Sequence, residues 1–117
     1  MTNSLIAKAW LQAFNDHDLE KLLSLYDDQA EHFSPKLKIR KPETNGIIKG
    51  KDAMRTWWQN AFDRLPDLIY QEKTITSNED RVFIEYTRIV TGEENMNVAE
   101  VLEIKNGLII ASRVYHG

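Results

Sequence analysis

The chain has 117 residues, 42% of them hydrophobic and 28% charged, with a formal net charge of -3 and no cysteine. That length and apolar content describe one domain, 1–117, with a single core, and they exclude a disordered chain. The lack of cysteine excludes disulfides and thiolate chemistry and agrees with a reducing compartment, while the negative balance argues against nucleic acid as a partner.

The first residues, Met-Thr-Asn-Ser-Leu-Ile, show no basic segment followed by an apolar one. No apolar run approaches the ~20 residues of a membrane span, so the expectation is a cytoplasmic chain with no membrane partner. Ile6, Trp10, Ala13 and Phe14 recur at helical spacing until the turn formers Asn15 to Asp18 interrupt them. Asp18 is suited to cap a second helix with Leu19, Leu22, Leu23 and Tyr26 as its buried stripe, stopped by Asp27-Asp28. Residues 30 to 34 then suggest a short strand ending at Pro35, and 36 to 46 a loop or ragged hairpin. The basic cluster Lys36, Lys38, Arg40 and Lys41 alternates with Leu37 and Ile39 there, as on a solvated strand edge. Gly50 precedes a third helix, whose stripe of Met54, Trp57 or Trp58, Ala61 and Leu65 ends at Pro66.

Strand periodicity takes over in the rear half, with strands expected at 68 to 77, 81 to 91, 96 to 105 and 108 to 116. The last two form a hairpin about Lys105-Asn106-Gly107. If those three residues make a type I turn with a bulge at Gly107, Ile104 faces Leu108 and Glu100 faces Ser112. Leu108, Ile110, Ser112, Val114 and His116 then point inward. If Asn106-Gly107 alone form a type I′ turn, Glu100 opposes Arg113, and Ile109, Ala111, Arg113 and Tyr115 point inward. The first register carries the longer apolar run and is preferred. Its inward face is apolar except for Glu100, Ser112 and His116, and such polar groups point to a cavity rather than a sealed core.

Helices ahead of an antiparallel meander indicate an α+β domain in which a curved sheet wraps the helices into a cone. The segments at 10 to 28 (Trp-Leu-Gln-Ala-Phe-Asn-Asp-His-Asp-Leu-Glu-Lys-Leu-Leu-Ser-Leu-Tyr-Asp-Asp), 48 to 55 (Ile-Lys-Gly-Lys-Asp-Ala-Met-Arg) and 105 to 109 (Lys-Asn-Gly-Leu-Ile) resemble, in order and spacing, the nuclear transport factor 2-like superfamily. Within it the chain is similar to the SnoaL-like branch of polyketide cyclases and ketosteroid isomerases. The resemblance implies a cone-shaped fold, a small apolar ligand in the cone, no cofactor, and a first strand lying beside the last. It places the isomerases' tyrosine oxyanion donor at Trp10, their base aspartate at Ser34, their protonated aspartate at Glu100 and a late helix-three tyrosine at Trp58. A serine with no activating partner cannot shuttle protons, so ordinary steroid isomerisation is not expected. SnoaL-like cyclases commonly end the last strand on an acid, where this chain has His116-Gly117. Epoxide hydrolysis, which needs two acids and an arginine about one water, resembles this chain less.

Glu100 is the first candidate for acid/base work, because an apolar cone raises a carboxyl pKa; as a purely structural group it would instead be satisfied by Ser112 or Arg113. His116 and His32 are candidate bases toward Ser34, against the plainer alternatives of a frayed terminus and a structural imidazole. His17 lies in the interhelix turn, too far from the others for a metal site, and no metal is expected. Trp10, Phe14, Met54, Trp58, Leu102, Ser112 and Val114 are the expected ligand-binding residues. Adjacent Trp57 and Trp58 cannot face the same way, so one should line the cone and the other pack outward or against a partner. Val101, Ile109, Ala111 and Tyr115 would make the convex face apolar, which points to a homodimer through that face. Two functional classes follow: a non-catalytic module that binds a small molecule or serves dimerisation, and a cofactor-independent isomerase, cyclase or lyase using Glu100.

Overall fold

The computed structural model describes all 117 residues. Helix α1 (Asn3–Asn15) is capped by the Thr2 hydroxyl and buries Ile6, Ala7, Trp10, Leu11, Ala13 and Phe14. Helix α2 (Leu19–Ser24) is capped by the Asp18 carboxylate, which accepts from the Lys21 amide. The expected second helix thus ends two residues before the end of its apolar stripe. Tyr26 belongs to strand β1 (Tyr26–Phe33), where it is fully buried, so strand rather than helix carries 26 to 33. The leucines and Tyr26 satisfy both periods over so short a run, and pairing with the last strand decides between them.

A helix replaces the loop expected after β1. Ser34 caps α3 (Pro35–Arg40), its hydroxyl accepting from the Lys36 amide, with Pro35 at the first helical position. Serine followed by proline is a helix-start signal, and the basic cluster that looked like a strand edge lies on this helix instead. Leu37 is buried and Ile39 is 78% exposed, as a helix and not an alternating strand requires. A 3-10 turn at Pro42–Thr44 leads into strand β2 (Ile47–Lys49), and Gly50, at φ +88°, turns the chain into α4 (Lys51–Arg64).

Strands β3 (Ile69–Ser77), β4 (Arg81–Ile89), β5 (Met96–Lys105) and β6 (Leu108–His116) follow. The six strands form one curved, unclosed sheet in the order β2-β1-β6-β5-β4-β3. Every pair is antiparallel except β1 with β6, which run parallel, placing the first strand beside the last.

The β5–β6 hairpin takes the two-residue turn and not the preferred three-residue one, and beyond a bulge its pairing matches neither alternative. Asn106 and Gly107, at φ 54° and 78°, make the two-residue turn that pairs Lys105 with Leu108 and Ile104 with Ile109. A bulge then shifts the ladder by one, so Glu103 pairs Ala111, Leu102 pairs Ser112 and Glu100 pairs Val114. Ile109 is therefore fully buried and not on the convex face, while Leu108 and Ile110 are partly exposed instead of inward. Beyond the bulge, Ser112 and Val114 are buried in keeping with the preferred register. Glu100 faces neither Ser112 nor Arg113. One extra residue moves a strand's inward set to the opposite parity, and this lets β6 bury apolar side chains both at its turn and along the cone.

On the convex face, Phe83 and Tyr115 are 41% and 48% exposed, and Val101 and Ala111 are half-buried. Arg81, Glu103 and Arg113 form an ion network among them, so this face is less apolar than expected.

Candidate functional site

The concave face of the sheet, α1, α3 and α4 enclose a cavity of about 140 Å³. A cavity near this size holds a single benzene ring. Its floor and walls include Trp10 and Phe14 of α1, Trp57 and Trp58 of α4, Tyr86 of β4, Val98 and Glu100 of β5, and Val114 of β6. Both tryptophans of α4 line it and both are buried, so neither packs outward. Adjacent helical residues lie about 100° apart, and α4 is packed against α2 on one side and β1 and β2 on the other, so its buried arc is wide enough for both. Trp58 rests on Tyr26 and His32, with ring centres 5.3 and 5.1 Å away.

Glu100 is 1% exposed. Its Oε1 accepts from the Tyr86 hydroxyl at 2.9 Å, and its Oε2 is buried with no partner at all. Burial pushes its pKa up to about 8, against a small downward pull from Tyr86, so the group is a neutral acid at pH 7. The same burial, with Glu100 adding to it, raises the Tyr86 phenol well above its ordinary value. Tyr70 stacks on Tyr86 with ring centres 4.1 Å apart and also lines the cavity.

A second polar chain runs beneath the other wall. The Trp10 indole donates to the Tyr26 hydroxyl at 3.1 Å, Tyr26 donates to Ser112 at 3.0 Å, and Ser112 Oγ meets His32 Nδ1 at 2.7 Å. Tyr26 gives its one proton to Ser112, and the only acceptor left for the Ser112 proton is His32 Nδ1, so Ser112 donates to Nδ1. His32 thus carries its proton on Nε2, which makes no hydrogen bond within the protein, and the residue lines the cavity. Burial pushes its pKa down to about 3, so it stays neutral.

Of the residues singled out in the sequence, Trp10, Phe14, His32, Ser34, Trp58, Glu100, Val114 and His116 line the cavity. Met54, Leu102 and Ser112 are fully buried behind the wall and contribute no lining. Neither histidine bonds Ser34, whose hydroxyl caps α3. His116 lies at the exposed rim, its pKa lowered by partial burial and then by Lys36 and Arg88. His17 is structural: its Nε2 meets the Leu68 carbonyl at 2.9 Å and its ring stacks on Phe62. No three histidine, aspartate or glutamate side chains converge closely enough to hold a metal ion.

The SnoaL-like domain model matches residues 7–112. The chain belongs to the SnoaL-like family. Among solved structures this SnoaL-like domain is similar to a SnoaL-like protein of unknown function from Burkholderia thailandensis, with 25% identity, a TM-score of 0.89, and 98% of this chain and 93% of that one covered. A candidate polyketide cyclase from Sinorhizobium meliloti shares 14% identity over 94% of this chain and 93% of its own, with a TM-score of 0.79. A candidate ketosteroid isomerase from Kribbella flavida shares 15% over 97% and 76%, with a TM-score of 0.78. These last two likenesses establish the nuclear transport factor 2-like fold alone. No protein of curated function matches the chain.

Several lining residues of the SnoaL-like domain escape a reading of the sequence: Tyr70, Tyr86, Arg88, Lys36, Arg40, Arg64 and Glu93. The signal for two of them is present, because Val82, Ile84, Tyr86 and Arg88 alternate along β4 and are all buried. Lys36 and Arg40 need α3 to be recognised first.

Proposed function

We propose that this SnoaL-like domain binds a small, largely apolar molecule through a carbonyl or hydroxyl oxygen presented to Glu100. The observation that carries this reading is the buried, partnerless Oε2 of a carboxyl group that lines the cavity. A buried polar atom without a partner costs about 1 to 3 kcal/mol, and a ligand oxygen accepting from the protonated carboxyl would recover it. His32 Nε2–H supplies a second neutral donor on the same cavity. No base of comparable placement accompanies them: Ser34 caps a helix, and the isomerases' base aspartate has no counterpart here. Binding is therefore preferred to catalysis.

The alternative is a cofactor-independent isomerase, cyclase or lyase in which Glu100 donates to a carbonyl oxygen and neutral His116 at the rim takes a proton. His116, lining the same cavity with a lowered pKa, favours it. We further propose a homodimer through the convex sheet face.

Cyclohexanone and its oxygen-free analogue methylenecyclohexane separate these readings by tryptophan fluorescence, since Trp10, Trp57 and Trp58 border the cavity. Saturable quenching is expected for the ketone, with affinity falling as pH rises through about 8, and no such pH dependence is expected in Glu100→Gln. Equal binding of both compounds at all pH values would remove Glu100 from recognition. Turnover of any ketone, enone or epoxide across a panel would favour the enzyme, and no quenching by any of them would leave the dimerisation module.

A further inference from the structure

Four cationic side chains meet at one opening of the cavity. Lys36 and Arg40 come from α3, Arg64 from the last turn of α4 and Arg88 from β4. The acids lining the cavity are Glu93, which accepts from Arg88 at 2.7 Å, and Glu100, which is protonated at neutral pH. Four cations against one ionised acid leave +3 at this opening, on a chain whose total is -3.

A solvated basic surface does not account for this arrangement. The chain has six arginines, and the three away from the cavity, Arg55, Arg81 and Arg113, each pair with a carboxylate. Of the three at the cavity, only Arg88 does. Arg64 donates to the Asn60 amide oxygen and Arg40 has no acidic partner. Arg88 is 5% exposed and Lys36 half-buried, so their charges lean inward over the cavity, where low dielectric strengthens every interaction they make. The Lys36 ammonium is destabilised by burial first and then by Arg88, with Glu93 opposing and Arg40 and Arg64 adding to the effect. Arg64 is affected the same way by burial, Arg40 and Arg88. Like charges held together at a cost, with too few acids to neutralise them, form a site that an anion completes.

We infer that the ligand of this cavity is a carboxylic acid, with its apolar ring against the tryptophans, its carbonyl or hydroxyl oxygen at Glu100, and its carboxylate at the opening among Lys36, Arg40, Arg64 and Arg88. This rests on the small-molecule reading above and adds the charge of the ligand to it. A ring-sized body fits the volume, and the two polar ends of such a molecule match the two polar ends of the site: a neutral donor at depth and an unneutralised cationic rim. Guanidinium groups suit the planar carboxylate, and the attraction would also draw the ligand in from solution.

The test compares 4-oxocyclohexanecarboxylate with 4-oxocyclohexanecarboxamide, which share ring and ketone and differ in charge, by tryptophan fluorescence titration at low and high ionic strength. The acid is expected to bind about tenfold or more tightly than the amide at low ionic strength, with the preference shrinking as salt is added. The triple variant K36Q/R40Q/R64Q alters mostly exposed side chains and keeps the Arg88–Glu93 pair, so it should fold. It is expected to lose about a factor of ten for the acid and to leave the amide unchanged. Equal binding of acid and amide by the parent chain would overturn the inference while keeping the cavity as a carbonyl site. An acid preference that survives in the triple variant would overturn the assignment of the anion to this opening. Failure of both compounds to bind would overturn the small-molecule reading together with this one.

Discussion

Two buried groups set the pH dependence of stability in opposite directions. Glu100 keeps its proton to about pH 8 in the folded chain but releases it near 4.5 when unfolded. The folded state holds the extra proton between those values, so stability falls as pH rises across that window and is level beyond it. His32 is neutral in the folded chain down to about pH 3, yet in the unfolded chain it gains a proton below about 6.5. Its contribution therefore falls as pH drops from 6.5 to 3. The two slopes oppose each other between 4.5 and 6.5, giving a plateau, and above 6.5 only the Glu100 decline remains. Urea unfolding from pH 5 to 9 is expected to show that decline in the parent chain and not in Glu100→Gln, with the variant the more stable by a few kcal/mol at pH 8.5. A parent chain whose stability stays level from pH 6.5 to 8 would mean that Glu100 is already ionised in the folded chain.

Strand β6 is where a single residue's difference in register has the largest consequence. The two-residue turn at Asn106-Gly107 requires positive φ at both positions, and Asn-Gly is the pair that accepts it most readily. The turn alone would carry Ser112, Val114 and His116 to the outside, and the bulge between Ile109 and Ala111 returns them to the cone. Ile109→Lys should then cost more than ~3 kcal/mol, because it buries an unpaired ammonium in a fully enclosed position. Ile110→Lys, at a site 37% exposed, should stay within about 1 kcal/mol. Thermal or urea unfolding of the two variants reads the bulge directly, and a reversal of their order would place the extra residue elsewhere.

On the scale of the whole molecule, the sheet's convex side remains the one broad surface no helix covers. Phe83 pairs with Val101 across β4 and β5, and both point outward, so a second copy would remove them from water. The chain is expected to sediment as a dimer, and Phe83→Lys with Val101→Lys as a soluble monomer, since like charges would meet across the two-fold. A parent chain that stays monomeric at high concentration would end the dimer proposal.

Most of the elements, α3 and β2 excepted, were legible along the chain because they rest on local physics. Asp18 caps α2, Pro66 lies just beyond α4, and alternation marks β4 and β5 along their length. Glu100 was legible for a related reason: a carboxylate on an otherwise apolar strand face has no inexpensive explanation but a cavity or a partner. Its partner was not, since Tyr86 and Glu100 sit on neighbouring strands that only the β4–β5 register brings within 2.9 Å. The same holds for the relay from Trp10 to His32, whose members come from α1, β1 and β6, and for the cationic opening, assembled from α3, α4 and β4. Tyr26 in a strand, the bulge in β6 and two inward tryptophans on α4 were decided by packing, because each of those segments satisfies two local patterns equally and the energy that separates them comes from neighbours distant in sequence. What the sequence by itself determined was the fold and the buried acid; what only the tertiary structure decided was which groups meet that acid, since such contacts depend on register and crossing geometry that no local signal encodes.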